Sequence, residues 1–165
     1  MESNVTASLL SEGAAGRSGK EIAENLDYYG AWFGANASLH HISAKLFSTN
    51  RHFGEVIPVF RDMIWQPTFP EKELGNIKTL SAQRLATNLE KVDYLANAEF
   101  SRQFYGDTHP LGNMPDVRKI TRITRESVKE FHDKWFGTDN TTLLISGIVT
   151  DKILNELNRY WGQPW

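Results

Sequence analysis

A chain of 165 residues, 40% hydrophobic and 23% charged, is long enough to bury one sizeable core and too short for two. Its formal net charge of −2 gives no basic footprint for nucleic acid, since Arg17, Lys45, Lys119 and Arg159 are scattered rather than clustered. The absence of cysteine excludes disulfides, thiol chemistry and cysteine-ligated zinc, and no apolar run approaches the length of a membrane-spanning helix. The first ten residues, MESNVTASLL, lack the basic start and long apolar core of a signal peptide.

In chain order, the elements predict a helix-rich α+β chain. Val5 to Leu10 suits the last turns of a helix that stops at Gly13. Ser18 with Glu21 three residues on has the form of a capping box, and Ile22, Ala23 and Leu26 then recur at helical spacing until Gly30. Ile42, Ala44 and Leu46 alternate with Ser43, Lys45 and Phe47 as a half-buried strand does, which predicts a hairpin turning near Leu39 to His41. Phe53 to Trp65 reads as a helix if Pro58 sits in its first turn or kinks it. Pro70, followed by Glu71 and Glu73, opens a long helix to about Tyr105, whose apolar stripe has two five-residue steps indicating a bend or a change of face. Thr124 with Ser127 starts a helix to about Phe136, TTLLISGIV predicts a buried strand, and Thr150 or Asp151 caps a last helix.

The glycine-rich stretch between the first two helices raises the possibility of a phosphate cradle. Such a loop needs glycine, four residues, then Gly-Lys-Ser/Thr, so that main-chain N–H groups surround the phosphates and the hydroxyl binds magnesium. Here Gly19-Lys20 is followed by Glu21, and the first glycine position is Ala14. A helix-turn-helix connection accounts for the stretch better. His40 and His41 are adjacent at a predicted turn, and strand neighbours point to opposite faces, so they are poorly placed to share a metal. His109 precedes a proline in a loop, and His132 lies on a half-buried helix face, with Glu130 and Asp133 unsuitably stacked on it as co-ligands. No nucleophile elbow, Ser-His-Asp pattern or paired-carboxylate signature is visible.

The order of four segments carries a resemblance over nearly the whole chain. These are LLSEGAAGRSGKEIAENLDYYGAWFGANAS, VIPVFRDMIWQPTFPEKEL, the long helix ending FYGDTHPLG, and ITRITRESVKEFHDKWFGTDNTTLLISGIV. Together they resemble a domain of the M16 (insulinase or pitrilysin type) metallopeptidases, closest to bacterial two-domain members related to the subunits of the mitochondrial processing peptidase. The resemblance implies an α+β sandwich, with helices on one face of a mainly antiparallel sheet. It further implies a single domain over 1–165, without the N-terminal strands that open the family's domain and without a following second domain. Met1 to about Asn4 would then stand where native sequence differs.

Active relatives carry His-x-x-Glu-His, in which two histidines bind zinc and the glutamate activates the metal-bound water. Set against the turn ending at Gly13, the motif puts Asn4 and Ser8 at the histidine positions and Ala7 at the glutamate. Counting back from the Tyr-Gly of FYGDTHPLG puts the remaining zinc-ligand glutamate at or near Arg84, a permanent cation without a lone pair to donate. The resemblance therefore implies a non-catalytic domain without its own zinc. Its role would be to help hold a peptide or unfolded polypeptide and to support an active zinc-peptidase subunit or second domain. Two other roles stay open: a piece of a working metalloendopeptidase whose metal site lies outside this chain, and a stand-alone peptide-binding or assembly module. A bared sheet edge implies self-association. Bacterial relatives are often exported, so a periplasmic setting is compatible, and the residues themselves name no compartment.

Overall fold

Two helices bring apolar side chains into the main core. The computed structural model describes residues 1–162. Helix α1 (Glu2–Leu9) buries Val5, Ala7 and Leu9, and Leu10 follows them into the core. Helix α3 (Phe53–Trp65) is apolar nearly all round and accordingly buried on two sides. Ile57, Phe60 and Ile64 join a core with Val5 and Leu9, while Val56, Val59 and Met63 join a second one with Ile22 and Leu26. Pro58 is the sixth residue of α3, beyond the first turn, and the helix continues through it. The cost is the one hydrogen bond that its missing N–H would make to the Gly54 carbonyl.

The glycine-rich stretch is a tight antiparallel hairpin, β1 (Gly13–Ala14) with β2 (Arg17–Ser18), between α1 and α2 (Gly19–Tyr28). Its two turn residues, Ala15 and Gly16, have φ of 48° and 81°, the left-handed conformations that a two-residue hairpin turn demands. Gly13 is pressed against Thr68, where a Cβ would collide with the threonine hydroxyl. The predicted capping box is present: the Ser18 hydroxyl accepts from Glu21 N–H, and the Glu21 carboxylate accepts from Ser18 N–H at 2.8 Å. The Ser18 N–H and then the Ser18 hydroxyl, both donating to the carboxylate, hold the Glu21 carboxyl below its usual range.

A second antiparallel hairpin pairs β3 (Trp32–Ala37) with β4 (Ile42–Phe47), Trp32 opposite Phe47 and Ala35 opposite Ala44. Period-two alternation decides its faces. Phe33, Ala35, Ala44 and Leu46 pack on the core, whereas Trp32 and Phe47, opposite one another in the register, are exposed. Helices thus cover one face of the hairpin, and the fold is α+β with small antiparallel sheets.

Two expectations are corrected. The long helix predicted from Pro70 to Tyr105 is two helices, α4 (Glu71–Leu89) and α5 (Val92–Tyr105), because Lys91 leaves the helical region at φ −91°, ψ 126°. The five-residue steps of the apolar stripe mark this change of face, and α5 buries none of its residues. The run Thr141–Val149 is neither paired nor buried. An apolar strand needs ladder partners on its edges to be buried, and among the described residues no strand lies beside it. Between these come α6 (Val117–Thr121), absent from the sequence reading, and α7 (Arg125–Trp135), opened by the expected Thr124–Ser127 reciprocal cap. Helix α8 (Asp151–Trp161) lays Ile153 and Leu157 into the core shared with α3, and the Thr150 hydroxyl accepts from Ile153 N–H at its start.

Helix α5 therefore depends on its own surface bonds. The Glu99 carboxylate accepts from Arg102 Nε at 2.8 Å, Arg102 Nη2 at 2.6 Å and Gln103 Nε2 at 2.9 Å. The Arg102 bonds, and then the Gln103 bond, lower its pKa from 4.5 to about 2. A lowered carboxylate pKa stabilises the folded form above the unfolded value and loses that contribution as pH falls through the folded value. Hydrogen exchange of α5 amides is therefore expected to accelerate, relative to α3, between about pH 4.5 and pH 2. Glu99→Gln is expected to remove that pH dependence; an unchanged profile in the variant would refute the assignment.

Candidate functional site

The four positions at which the resemblance puts zinc chemistry lie on α1 and α4. Asn4 and Ser8 are one helical turn apart and both exposed, the i, i+4 placement that a pair of metal-binding histidines on one helix would use. Ala7 points into the core, and Arg84 is exposed on α4. None of the four makes a side-chain hydrogen bond or ion pair among the described residues. An amide, a methyl, a hydroxyl and a guanidinium are not a zinc donor set, and a guanidinium adds positive charge where the metal would need negative. The residues present do not fit the metal.

The histidines do not converge either, and among the described residues no cluster of three or more His, Asp or Glu side chains has metal-binding geometry. His40 and His41 are exposed at the hairpin turn, closed by Ser38 N–H donating to the His41 carbonyl at 2.8 Å. His109 accepts from Leu111 N–H at 3.2 Å through Nδ1 and stacks on Tyr105. His132 is more deeply buried than a half-buried helix face implies. Its Nε2 lies 2.8 Å from the Ile64 carbonyl oxygen, and its ring stacks on Phe136 and meets the edge of Phe69. It ties α7 to the end of α3.

Three arrangements escaped the sequence reading. Asp62, buried on α3, accepts from Arg17 Nη1 at 2.9 Å and from Arg61 Nε at 2.9 Å, which ties β2 to α3. The fork of Arg125 donates to the Thr68 and Phe69 carbonyls, both at 2.8 Å, and holds Phe69 at a φ of 47°. Arg17 and Asp62 are 45 residues apart and Arg125 and Phe69 are 56, so local periodicity carries no signal for either contact. The third is an exposed aromatic row on α5, where Phe100 stacks on Phe104 and Phe104 meets Tyr105 edge-on. Its signal is the apolar stripe itself, which outlasts the packing available to it. Beside α1, burial and the nearby Glu73 carboxylate raise the Glu12 pKa.

Among the described residues no catalytic constellation is assembled at these positions. Residues 122–163, spanning α7, the unpaired run and α8, match the family model of the peptidase M16 inactive domain. Among solved structures, the peptidase M16 inactive domain from Pseudomonas fluorescens is similar at 29% identity and a TM-score of 0.74, over 78% of this chain and 32% of that one. A protease from Helicobacter pylori shares the fold at a TM-score of 0.78 and 15% identity, over 99% of this chain and 41% of its own. A mutant of the ferredoxin protease FusC, in complex with Arabidopsis ferredoxin, does so at 0.73 and 13%, over 96% of this chain and 18% of its own. This chain thus spans less than half the length of each. No curated protein matches it. The matched segment and the 29% identity over most of the chain make this chain similar to the inactive domain of the M16 peptidases, and the fold is shared with all three structures.

Proposed function

We propose that this domain is non-catalytic, helps form a peptide-holding chamber, and supports an active zinc-peptidase subunit or domain. The observation that carries the reading is the side-chain chemistry at Asn4, Ala7, Ser8 and Arg84, in a chain similar to an M16 inactive domain. A zinc peptidase needs three protein ligands and a base, and this set supplies none of them. Holding a polypeptide is a role in keeping with the FusC mutant, a neighbour of the same fold found in complex with a protein. The exposed aromatic row on α5 supports it as well, because aromatic faces bind extended apolar chain without demanding one sequence.

The test combines metal content with polypeptide binding. The full chain, dialysed against zinc and then freed of loosely held metal, is expected to retain none by elemental analysis. It is also expected to raise the fluorescence anisotropy of a labelled, reduced and carboxymethylated lactalbumin without cleaving it. About one zinc retained per chain would overturn the non-catalytic reading. No change in anisotropy at high chain concentration would overturn the peptide-holding part.

A further inference from the structure

A cleft lies between α2 and the start of β3, and its place is fixed by how the helix ends. Gly30, at a φ of 61°, lets Ala31 N–H donate back to the Leu26 carbonyl at 2.8 Å while its own N–H donates to the Asp27 carbonyl at 3.0 Å. This double closure turns the chain and lays the first residues of β3 beside the last turns of α2. Ile22, Leu26 and Ala31 line the cleft and are buried, which gives it an apolar floor; Asp27 and Trp32 line it and are exposed, which places them at the rim. Its volume of about 180 Å³ lies below the roughly 300–1,000 Å³ of small-molecule pockets and suits a single side chain.

Three properties decide which side chain. The Asp27 carboxylate has no hydrogen bond or ion pair among the described residues, and no residue lining the cleft is cationic. The lysine of α2, Lys20, is engaged with Glu24 at 3.7 Å. The Trp32 indole lies along the strand over Gly34, where a Cβ would collide with the ring, and it stays 59% exposed. An aliphatic occupant would cover the carboxylate and offer it no partner, which costs free energy. A long basic side chain suits all three features: its methylene stem lies on the apolar floor, its cation pairs with Asp27, and the indole face attracts the same charge. We propose that this cleft is a subsite for an arginine or lysine side chain of a bound polypeptide. Its use in holding a polypeptide rests on the reading above.

The probe is one blocked amino acid, which needs no chamber and no extended chain. Titration of the full chain with N-acetyl-arginine amide, followed by two-dimensional amide NMR, is expected to shift the signals of Ala23, Asp27 and the Trp32 indole N–H at millimolar concentration. The neutral isostere N-acetyl-citrulline amide is expected to bind about 3- to 20-fold more weakly. Asp27→Asn is expected to weaken the arginine compound about two- to fivefold and to leave the citrulline compound unchanged. Because Asp27 is exposed and its side chain unbonded, that variant is expected to keep the far-ultraviolet circular dichroism spectrum of the parent. Three results would each overturn the proposal: no shift at the residues lining the cleft, equal affinity for the two compounds, or a preference for arginine that survives Asp27→Asn. Loss of the subsite leaves the binding of carboxymethylated lactalbumin to be read on its own, so the two failures are distinguishable.

Discussion

Phe69→Ala is expected to cost about 3–5 kcal/mol, the range for removing a buried aromatic side chain. Phe69 is almost fully buried, belongs to the core shared by α1 and α3, and meets the edge of His132. Domains of this kind hold about 5–15 kcal/mol in total, so the variant stands near its unfolding limit, with a midpoint lowered by on the order of 10 °C. The backbone makes the prediction sharper. At a φ of 47° a side chain with a Cβ is strained by about 1–2 kcal/mol, and alanine keeps that strain while losing the ring. Glycine loses the ring but relieves the strain. Thermal unfolding should therefore rank Phe69→Gly at or above Phe69→Ala in stability, although alanine is the larger residue. The opposite order would show that the Arg125 bonds to the Thr68 and Phe69 carbonyls hold no strained conformation.

The second large effect lies at Asp62, whose replacement by alanine is expected to cost about 2–3 kcal/mol in urea denaturation. Its carboxylate is buried and takes bonds from two guanidiniums that belong to different parts of the fold. Arg17 lies on the first hairpin, and Arg61 also sits over the Tyr160 ring of α8 at 5.2 Å. Breaking a buried pair ordinarily costs about 3–5 kcal/mol. Arg17 and Arg61 both keep contact with solvent, so neither charge is stranded and the lower figure applies. Lys20→Ala supplies the control: its pairing with Glu24 at 3.7 Å is fully on the surface and should change stability by less than about 0.5 kcal/mol. If the two variants unfold together, Asp62 does not tie the hairpin to α3.

The helices and caps were legible because their signals are local. The Ser18–Glu21 and Thr124–Ser127 caps each span three residues, and the structure forms both as the residues predict. The second hairpin was legible from alternation, since Ile42, Ala44 and Leu46 show which face is half-buried before any partner is known. The chemistry at Asn4, Ala7, Ser8 and Arg84 needs no coordinates at all, because whether an atom can donate a lone pair to a metal belongs to the side chain. What failed was inference from apolarity to burial. TTLLISGIV reads as a buried strand, and the apolar stripe of the long predicted helix runs on through α5, yet both lie largely in solvent.

The amino-acid order alone settles where α2 and α7 start, which face of β4 turns inward, and that Asn4, Ala7, Ser8 and Arg84 bring no zinc donor or base to the positions where the resemblance puts the family's zinc chemistry. Each of these depends on residues within a turn or two, or on one side chain's own atoms. The folded chain is needed to place the His132 ring against the Ile64 carbonyl, to hold Phe69 left-handed under Arg125, and to leave residues 142–149 without a ladder. These depend on groups tens of residues apart, or on a neighbouring strand being there or not. Propensity records what a segment can become, and its surroundings decide whether the bonds are made.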